Sequence, residues 1–387
     1  MDKLPNIFYL LFTVIVIVSC KQAAQKSVID NIKKQVALQL NPRENNPRNS
    51  EGDFITLKDG RILFIYSHYT GISASDHAPA HLAGRFSDDG GKTWTQEDKL
   101  IIANEGDMNV MSVSLLRLQN GNIALFYLRK NSEQDCIPLV RISTDEARTW
   151  SYPVACITDK KGYFVLNNNR VIQLQSGRLL MAVALHAVPG GKWQNKATLY
   201  SYYSDDNGMN WKHSKQVPNS TAIITQEPGV VELKDGSLMM FIRASGGLQQ
   251  LSRSKDRGET WGHIEPANIK SPLSPASIER IPASGNLLLV WNNNDGSDPS
   301  IKNKRTPLTI AISKDEGKTW QNIKTIEGDP DGWYCYTAIH FYKKHILLAY
   351  CAGSQSKKTH LSVTRISRIS LHNLYSNHRN SIDPRNH

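Results

Sequence analysis

The sequence lacks the signatures of several common protein classes. It has five cysteines in 387 residues, and their spacing does not match a zinc site. No glycine-rich phosphate loop or dinucleotide-binding motif occurs, so we expect no metal and no cofactor. The net charge of +11 is spread along the chain without a run of lysine and arginine, which argues against nucleic acid as a partner. An apolar content of 40% with 21% charged residues instead describes a globular protein with a large core.

Long apolar runs are also missing, and the run nearest the N-terminus, residues 7–18, is too short for a comfortable transmembrane helix. Lys3 precedes this run, and residues 17–20 (IVSC) at its end resemble a bacterial lipoprotein box. We therefore expect residues 1–19 to be a lipoprotein-type signal peptide, followed by a lipid anchor on the thiol of Cys20. An ordinary secretory signal is the alternative. Both interpretations place the domain outside the cytoplasm, in the periplasm or at the cell surface.

One eight-residue phrase occurs five times, with serine, aspartate, glycine and threonine at every second position and tryptophan directly after. The aspartate and serine side chains can cap backbone amides, the glycine can adopt a positive φ, and the tryptophan can plug the turn onto its own sheet. We interpret this phrase, the Asp box, as a structural hairpin clasp. Its period of 50 to 60 residues indicates a repeat fold. The copies begin at Ser87, Ser143, Ser204, Ser254 and Ser313.

A second repeat of six apolar runs interleaves with the clasps, and each run is centred on a two-residue turn. Their strand composition predicts hairpins at residues 54–66, 113–127, 171–184, 230–242, 278–291 and 338–350. Six hairpins and five clasps predict an all-β fold, a six-bladed β-propeller over residues 47–375. Strands from both chain ends should close its last blade, the second of them within residues 360–369. Residues 20–46 are expected to be a polar tether and residues 376–387 a polar tail.

The start of each hairpin is the expected position of a functional site, because a propeller gathers the starts of its inner strands around a central channel. Nine positions before the turn glycine stand Glu51, Ser112, Asn168 and Glu227. These residues should therefore occupy equivalent places at the mouth of the channel. Polar residues where a strand enters the core indicate a binding or catalytic site.

Residues 226–243 resemble the exo-sialidase family of glycoside hydrolases. Glu227 is followed by proline and a Leu-x-Asp-Gly turn, and Arg243 ends the hairpin sixteen residues after Glu227. A second match is Arg305, eight residues before the last clasp serine. The resemblance covers essentially the whole chain after Asn41. Asp boxes alone would be weak support, since they occur in many unrelated propellers.

The resemblance implies a retaining glycosidase acting on a sugar acid. Sialic acid carries a carboxylate on its anomeric carbon, and the guanidinium groups of Arg243 and Arg305 would hold it by charge-assisted hydrogen bonds. Because that carboxylate would repel a carboxylate nucleophile, the family uses a neutral tyrosine that a glutamate deprotonates. The resemblance assigns Tyr336 as this nucleophile, with Tyr334 as a near competitor, and Glu227 as its base.

Two parts of the family pattern are less direct. The general acid and base should be Asp76, in the loop between the first hairpin and the first clasp. Sialidases carry an arginine ten residues before the first turn glycine, but Ser50 stands at that position and Arg48 lies two residues earlier. This departure leaves a related acidic sugar open as the substrate. The remaining substrate-binding candidates are Arg48, Glu51, Asn168 and Arg170.

Three functions are open at this point. The first is an exported exo-acting sialidase or close relative with a sialoside substrate. The second is a hydrolase or lyase of another acidic polysaccharide, with His77, His81 or His186 carrying protons. The third is a lipoprotein that binds glycans without turnover. The linkage, the oligomeric state, the membrane face and the pairing of the four later cysteines are open as well.

Overall fold

The computed structural model describes residues 30–376. The expected signal peptide, Cys20 and residues 377–387 of the expected tail lie outside this range. The described part is an all-β protein with 25 strands and one short helix, α1 (Leu371–Tyr375). Within residues 30–376 no helix is long and apolar enough to span a bilayer.

The strands form five sheets, four of four strands and one of nine. The first strand is β1 (Lys34–Leu40). The first sheet consists of β2 (Asn49–Thr56), β3 (Ile62–Tyr69), β4 (Ala80–Ser87) and β5 (Lys99–Ile102). The nine-stranded sheet consists of β6 (Asn109–Arg117), β7 (Ile123–Ser132), β8 (Asp135–Ser143), β9 (Val154–Ala155), β10 (Tyr163–Val165), β11 (Val171–Gln173), β12 (Leu179–Ala187), β13 (Thr198–Ser204) and β14 (Lys212–His213).

Three further sheets complete the described chain. The third sheet consists of β15 (Thr225–Glu232), β16 (Leu238–Ala244), β17 (Leu248–Ser254) and β18 (Glu265–Lys270). The fourth consists of β19 (Ser277–Arg280), β20 (Leu287–Asn292), β21 (Leu308–Ser313) and β22 (Gln321–Glu327). The fifth consists of β23 (Gly332–Tyr342), β24 (His345–Ser354), β25 (Thr364–Ser370) and β1.

The nine-stranded sheet contains two antiparallel groups. Strands β6 to β9 form one group and strands β10 to β14 the other. The two groups are joined where β10 runs parallel to β8, through the single residue pair Tyr163 and Cys136. This one-residue contact is a weaker connection than the ladders inside each group, which pair up to nine residues.

The six predicted hairpins are confirmed as antiparallel pairs, which are β2–β3, β6–β7, β11–β12, β15–β16, β19–β20 and β23–β24. Five of their six turns use glycine where the backbone enters the left-handed region, as at Gly60 with φ 89° and Gly121 with φ 88°, whereas Lys343 with φ 51° takes this place in the last turn. The second hairpin strand is largely buried, and every residue of β20 is buried. Hydrophobic clusters form between neighbouring sheets, as where Phe241 of β16 packs with Leu289 of β20.

The five clasps have the predicted geometry at the turn after the third strand of each group. In the fourth copy, Asp256 accepts hydrogen bonds from the Thr260 backbone N–H at 2.9 Å and from Ser254 Oγ at 2.7 Å. The tryptophan position differs from the expectation. Trp261 Nε1 donates to Ser201 Oγ at 2.9 Å, and Ser201 lies on β13 of the preceding group. Trp261 therefore connects neighbouring groups of strands, whereas Trp211 Nε1 donates to the Gly208 carbonyl at 3.0 Å and closes its own turn as expected.

The N-terminal boundary also differs from the expectation. Residues 34–40 lie within the segment predicted as a polar tether, yet they form β1 and pair with β25 from Lys34–Ile369 to Leu40–Thr364. Leu40 is buried with Phe54, and Leu38 packs against the same cluster, because these two residues lie on the same face of β1 on either side of the exposed Gln39. Both chain ends thus contribute to the last sheet, as predicted, but the N-terminal strand begins earlier than residue 47.

Candidate active site

The first strands of four hairpins share an irregularity at their start. In β2, β6, β15 and β23 the register shifts by one residue, so an extra residue is inserted opposite the neighbouring strand. A bulged residue with positive φ occurs in each strand: Glu51 (55°), Ser112 (60°), Glu227 (42°) and Tyr336 (54°). The left-handed backbone is unfavourable for residues other than glycine, and such strain is concentrated at functional sites.

These bulges direct four side chains into one cavity of about 320 Å³, which we call the site cavity. Six residues of the predicted site line it, and they are Glu51, Asp76, Glu227, Arg243, Arg305 and Tyr336. The sequence alone had placed them in four separate segments of the chain. The structure therefore brings the predicted nucleophile, base, acid and two arginines to a single place.

Tyr336 and Glu227 are in direct contact. The Tyr336 hydroxyl donates to Glu227 Oε1 at 3.1 Å, across two strands that are 109 residues apart in sequence. Burial, and then the neighbouring Glu227 charge, raise the pKa of Tyr336 above its ordinary value. Tyr334 points elsewhere: it packs in the hydrophobic core against Tyr350, with ring centroids 6.4 Å apart. The bulge separates the two tyrosines, so only Tyr336 lines the site cavity.

Glu227 is held by cationic and amide donors. Arg243 Nη1 lies 2.7 Å from Glu227 Oε2, and Asn167 Nδ2 donates to the same oxygen at 3.3 Å. Arg243 reaches Glu227 because it lies directly opposite Gln226 in the β15–β16 ladder. Burial would raise the pKa of Glu227, but the charges of Arg243 and Arg305 outweigh it and hold the pKa below its ordinary value. Glu227 is therefore ionised and able to accept a proton.

Arg305 lies over the Tyr336 ring, with its Cζ atom 5.4 Å from the ring centroid. It is 9% exposed, and its Nη1 has no hydrogen-bond partner. The Nε of Arg243 is buried and unpartnered as well. Buried polar groups normally find partners, so unused guanidinium donors beside an anion-sized cavity favour an anionic ligand.

Arg48 and Asp76 form an ion pair at the other side of the site cavity. Arg48 Nη1 lies 2.5 Å from Asp76 Oδ1, and its Nη2 lies 2.7 Å from Glu51 Oε1. Ser50, which stands where the family has arginine, accepts from Arg48 Nε at 2.9 Å. Burial would raise the pKa of Asp76, but the charge and hydrogen bond of Arg48 keep it below the ordinary value. For Glu51 burial prevails over Arg48, so its pKa is raised.

The Asp76 loop is fixed by two residues that sequence reasoning missed. Lys130 Nζ donates to the Asp76 carbonyl at 2.7 Å, and Asn109 Nδ2 donates to the same oxygen at 2.9 Å. Lys130 is 1% exposed, and its Nζ lies 5.2 Å from the centroid of the Tyr163 ring. Its one sequence signal is a lysine at the end of an otherwise buried strand, β7.

Three predicted substrate-binding residues do not line the site cavity: Asn168, Arg170 and Arg48, which contacts the lining residues Asp76 and Glu51. Asn168 Nδ2 donates to the carbonyl oxygens of Gly52 at 2.9 Å and Tyr336 at 3.0 Å. These two hydrogen bonds connect the bulges of β2 and β23. Arg170 donates to the carbonyl of Ala276 and lines a different cavity. Arg170 therefore does not join Arg243 and Arg305 around the site cavity.

Of the three candidate histidines, His186 lines the site cavity. Its ring stacks on Trp193 at 4.4 Å with an interplanar angle of 9°, and burial lowers its pKa. Trp193 is 48% exposed and was not singled out from the sequence. His77 faces Glu133 at 3.7 Å and His81 stacks on His68 at 4.6 Å, both outside the cavity lining.

Comparisons with known proteins found a family model and several relatives. A model for a BNR repeat-like domain matches residues 81–346. The chain is 26% identical over 324 residues to a sialidase of Bacteroides fragilis, an alignment that covers 74% of this chain and 57% of the relative. It is 27% identical over 343 residues to a sialidase of Micromonospora viridifaciens, which covers 77% of this chain and 50% of the relative. The chain thus spans about half the length of these curated relatives.

Solved structures support the same fold. A Hadza microbial sialidase superposes with a TM-score of 0.68 at 19% identity, covering 85% of this chain and 66% of that structure. A leech intramolecular trans-sialidase superposes with a TM-score of 0.69 at 14% identity, covering 89% and 71%. At these identities the superpositions carry the fold and not the activity.

Proposed function

Because the chain belongs to the BNR repeat-like family of the sialidase superfamily, we propose that it is an exo-acting retaining sialidase. The observation that carries this proposal is the contact between Tyr336 and Glu227, placed between Arg243 and Arg305 in one cavity. A glycosidase that used two carboxylates would not need a buried tyrosine paired with a glutamate.

The arginines supply the recognition of the substrate carboxylate. Arg305 Nη1 and Arg243 Nε are buried and without a partner, so an incoming carboxylate would satisfy donors that nothing else uses. Binding would also weaken the pull of both arginines on Glu227. That change would raise the basicity of Glu227 at the moment when it must accept a proton.

Tyr336 is the proposed nucleophile. Its oxygen attacks the anomeric carbon while its proton passes to Glu227 Oε1, 3.1 Å away. The bond from the anomeric carbon to the leaving oxygen breaks, and Asp76 donates a proton to that oxygen. A water molecule, deprotonated by Asp76, then attacks the anomeric carbon, and Tyr336 leaves and recovers its proton. Two displacements at one carbon give net retention.

Asp76 needs a rearrangement before it can act as an acid. In the resting structure Arg48 holds it ionised, whereas a general acid must carry a proton. We place the proton transfer after Arg48 has turned from Asp76 towards the substrate carboxylate, which raises the pKa of Asp76. Arg48 would then bind the substrate carboxylate together with Arg243 and Arg305. It would do so although it stands two residues before the position at which the family has its arginine.

The fold that carries this site is proposed to be a six-bladed propeller. Residues from the first strands of all six hairpins line one cavity, which is distinct from the site cavity. Strand β1 joins β25 to complete the last sheet. The nine-stranded sheet then counts as two blades, joined only at the pair of Tyr163 and Cys136. Strands β10 and β11 both pair with β12 and together take the place of one strand, so the arrangement matches a repeat of four strands per blade.

Export and anchoring are a separate part of the proposal. Residues 1–19 would be removed and Cys20 would carry lipid, which places the site cavity outside the cytoplasm. Intact-mass measurement of the membrane fraction tests this directly. A Cys20→Ser variant should lose the lipid mass, and a mature protein that begins elsewhere would contradict the anchor.

The test of activity is hydrolysis of a chromogenic aryl sialoside by the full chain. Tyr336→Phe and Glu227→Gln should each lower kcat by about 10³-fold, because each removes a group that acts in the transition state. Tyr334→Phe is the matched control, since that ring packs in the core, and it should stay close to the parent. Equal losses in all three variants would contradict the assignment of Tyr336. Proton NMR of the first product formed should show retained anomeric configuration.

A second candidate is an enzyme for another acidic sugar, favoured by the engagement of Arg48 with two carboxylates. Assays on uronic-acid glycans alongside sialosides separate the two. Turnover of uronic acids alone would replace the sialidase proposal, and tight binding without product on either class would contradict an enzyme. Mass analysis of the sialoside product also distinguishes hydrolysis from intramolecular transfer, the reaction for which the leech enzyme is named.

A further inference from the structure

Two cysteines face each other beside the proposed nucleophile. Cys335 on β23 and Cys351 on β24 are direct partners in the antiparallel register. Opposed residues in such a ladder have Cα atoms about 4.5 to 5.5 Å apart, which lies within the range that a disulfide spans. Each residue is 1% exposed, and both are free thiols in the structure.

The side chains of the two cysteines are already oriented towards each other. Each thiol is in hydrogen-bond contact with the other, and Cys335 also contacts the Arg305 side chain. Cys351 Sγ donates to the carbonyl of Leu361 at 3.8 Å, and Leu361 lines the site cavity. The two thiols are therefore positioned to form a disulfide. They contact Leu361 and Arg305, which line the site cavity.

We propose that Cys335 and Cys351 form a cross-strand disulfide. The reaction is thiol exchange with a low-molecular-weight disulfide such as oxidised glutathione. The Cys335 thiolate attacks the small disulfide and releases one thiol, and Cys351 then attacks the mixed disulfide and releases the second. The two protein thiols lose two protons and two electrons, and the small disulfide takes them up as two thiols.

The bond would fix the part of the strand that presents Tyr336. Cys335 is the last paired residue before the register shift, and the ladder resumes at Ala338. A covalent link at this position holds the strand pair on one side of the bulge. The positive φ of Tyr336, 54°, is then supported by a bonded neighbour as well as by packing.

The other two later cysteines provide an internal control. Cys136 and Cys156 are also buried and free, but they are not opposite each other. In the β8–β9 ladder Leu139 pairs with Ala155, and the Cys156 backbone N–H donates to the carbonyl of Pro138 at 2.9 Å. The register thus places Pro138, and not Cys136, across from Cys156.

The first experiment maps disulfides in the full chain after refolding with a mixture of oxidised and reduced glutathione. Alkylation followed by peptide mass analysis should recover Cys335 and Cys351 as one linked pair, lighter by their two thiol hydrogens. The pair should persist in the double variant Cys136→Ser/Cys156→Ser and should be absent in Cys351→Ser and Cys351→Ala. Alkylation of both Cys335 and Cys351 in the parent, or linkage of either to another cysteine, would overturn the proposal.

The second experiment compares thermal unfolding of oxidised and reduced samples. The two cysteines are 16 positions apart (351 minus 335), so closing this loop should raise Tm by about 4 °C in a chain of this size. The Cys136→Ser/Cys156→Ser variant should show the same rise and Cys351→Ala none. A rise that survives in Cys351→Ala would assign the effect to other thiols. Neither readout requires enzymatic activity, so failure of the sialidase proposal leaves this test intact.

Discussion

Two neighbouring cavities use the same strands and similar residues in opposite ways. The site cavity lies at the bulged starts of the first hairpin strands. A second cavity of about 480 Å³, which we call the channel cavity, is lined by the later parts of the same strands. Both contain buried carboxylates and a buried arginine. Their electrostatic states nevertheless differ.

In the site cavity the pKa of Glu227 is lowered, whereas in the channel cavity the pKa values of two carboxyl groups are raised. Burial raises the pKa of Asp53 to about 7 and that of Glu279 to about 8. Glu227 is equally enclosed, yet its pKa is lowered because Arg243 lies 2.7 Å away. Direct contact with a cation can outweigh burial, as for Glu227 beside Arg243, but it does not do so for Glu51 beside Arg48.

The two cavities also differ in the hydrogen-bond partners of their arginines. Arg170 in the channel cavity donates through Nη2 to the carbonyl of Ala276 and through Nη1 to Ser277 Oγ, so both of its terminal nitrogens are bound within the protein, while its Nε has no partner. Burial lowers its pKa to about 10. Arg305 in the site cavity keeps an unpartnered Nη1. The first arginine is therefore structural, while the second is available to an anion.

The largest expected effect separates these two arginines. Arg305→Met should lower kcat/KM by about 10³-fold, because a charge-assisted pair with the substrate carboxylate is lost. Folding stability should not fall, since methionine fills the volume without leaving an unpaired charge. Arg170→Met should change kcat/KM by less than about tenfold and lower stability by about 1 kcal/mol, because the Ala276 carbonyl loses its donor. Steady-state kinetics and denaturant unfolding on both variants check this contrast, and a reversed order would contradict it.

The second expected effect is a pH dependence that belongs to the channel cavity. The folded pKa of Glu279, about 8, lies above its ordinary value of 4.5. The stability contributed by the protonated form is fully present below the ordinary pKa and is lost as pH rises through about 8. Glu279→Gln does not titrate, so its loss of stability between pH 5 and pH 8 should be smaller than the parent's by about 2 kcal/mol.

The control for this measurement is Glu146→Gln. The hydrogen bonds from Arg117 hold the pKa of Glu146 at about 2, so its titration lies below the window from about pH 5 to 8. That variant should reproduce the parent's slope between those pH values. Denaturant unfolding at several pH values gives all three slopes. Equal slopes for Glu279→Gln and the parent would show that Glu279 is ionised in the folded state.

Those parts of the fold that depend on local periodicity could be predicted from the sequence. Alternating apolar residues and tight turns predict the hairpins. Counting from a turn glycine predicts that Glu51, Ser112, Asn168 and Glu227 are equivalent, and the structure has the bulge with positive φ at all of these except Asn168. The bulges themselves have no local signature, because the one-residue shift is decided by how neighbouring strands pack. For this reason the sequence alone does not distinguish Tyr334 from Tyr336 as the nucleophile.

The contacts that could not be predicted join residues that are far apart in the sequence. Lys130 supports the Asp76 loop across 54 positions, and no periodic pattern connects the two residues. Residue type makes Arg170 a substrate-binding candidate, yet its terminal nitrogens donate to Ser277 Oγ and to the Ala276 carbonyl. Residue type predicts the chemistry that is available, whereas the partner of each donor decides whether it is used.

The smallest expected effect distinguishes two adjacent asparagines that serve different cavities. Asn168 donates to the carbonyl of Tyr336, whereas Asn169 donates to Asp53 Oδ1 at 3.1 Å and accepts from the Ile339 N–H at 3.2 Å. Asn168→Ala should lower kcat by about tenfold with little change in KM, because the nucleophile loses its positioning contact while the arginines are untouched. Asn169→Ala should lower folding stability by about 1 to 2 kcal/mol and leave kcat within about threefold of the parent. Separate measurement of kcat, KM and unfolding free energy decides the case. If Asn169→Ala lowers kcat as much as Asn168→Ala, the two cavities act as one unit and the division between them is wrong.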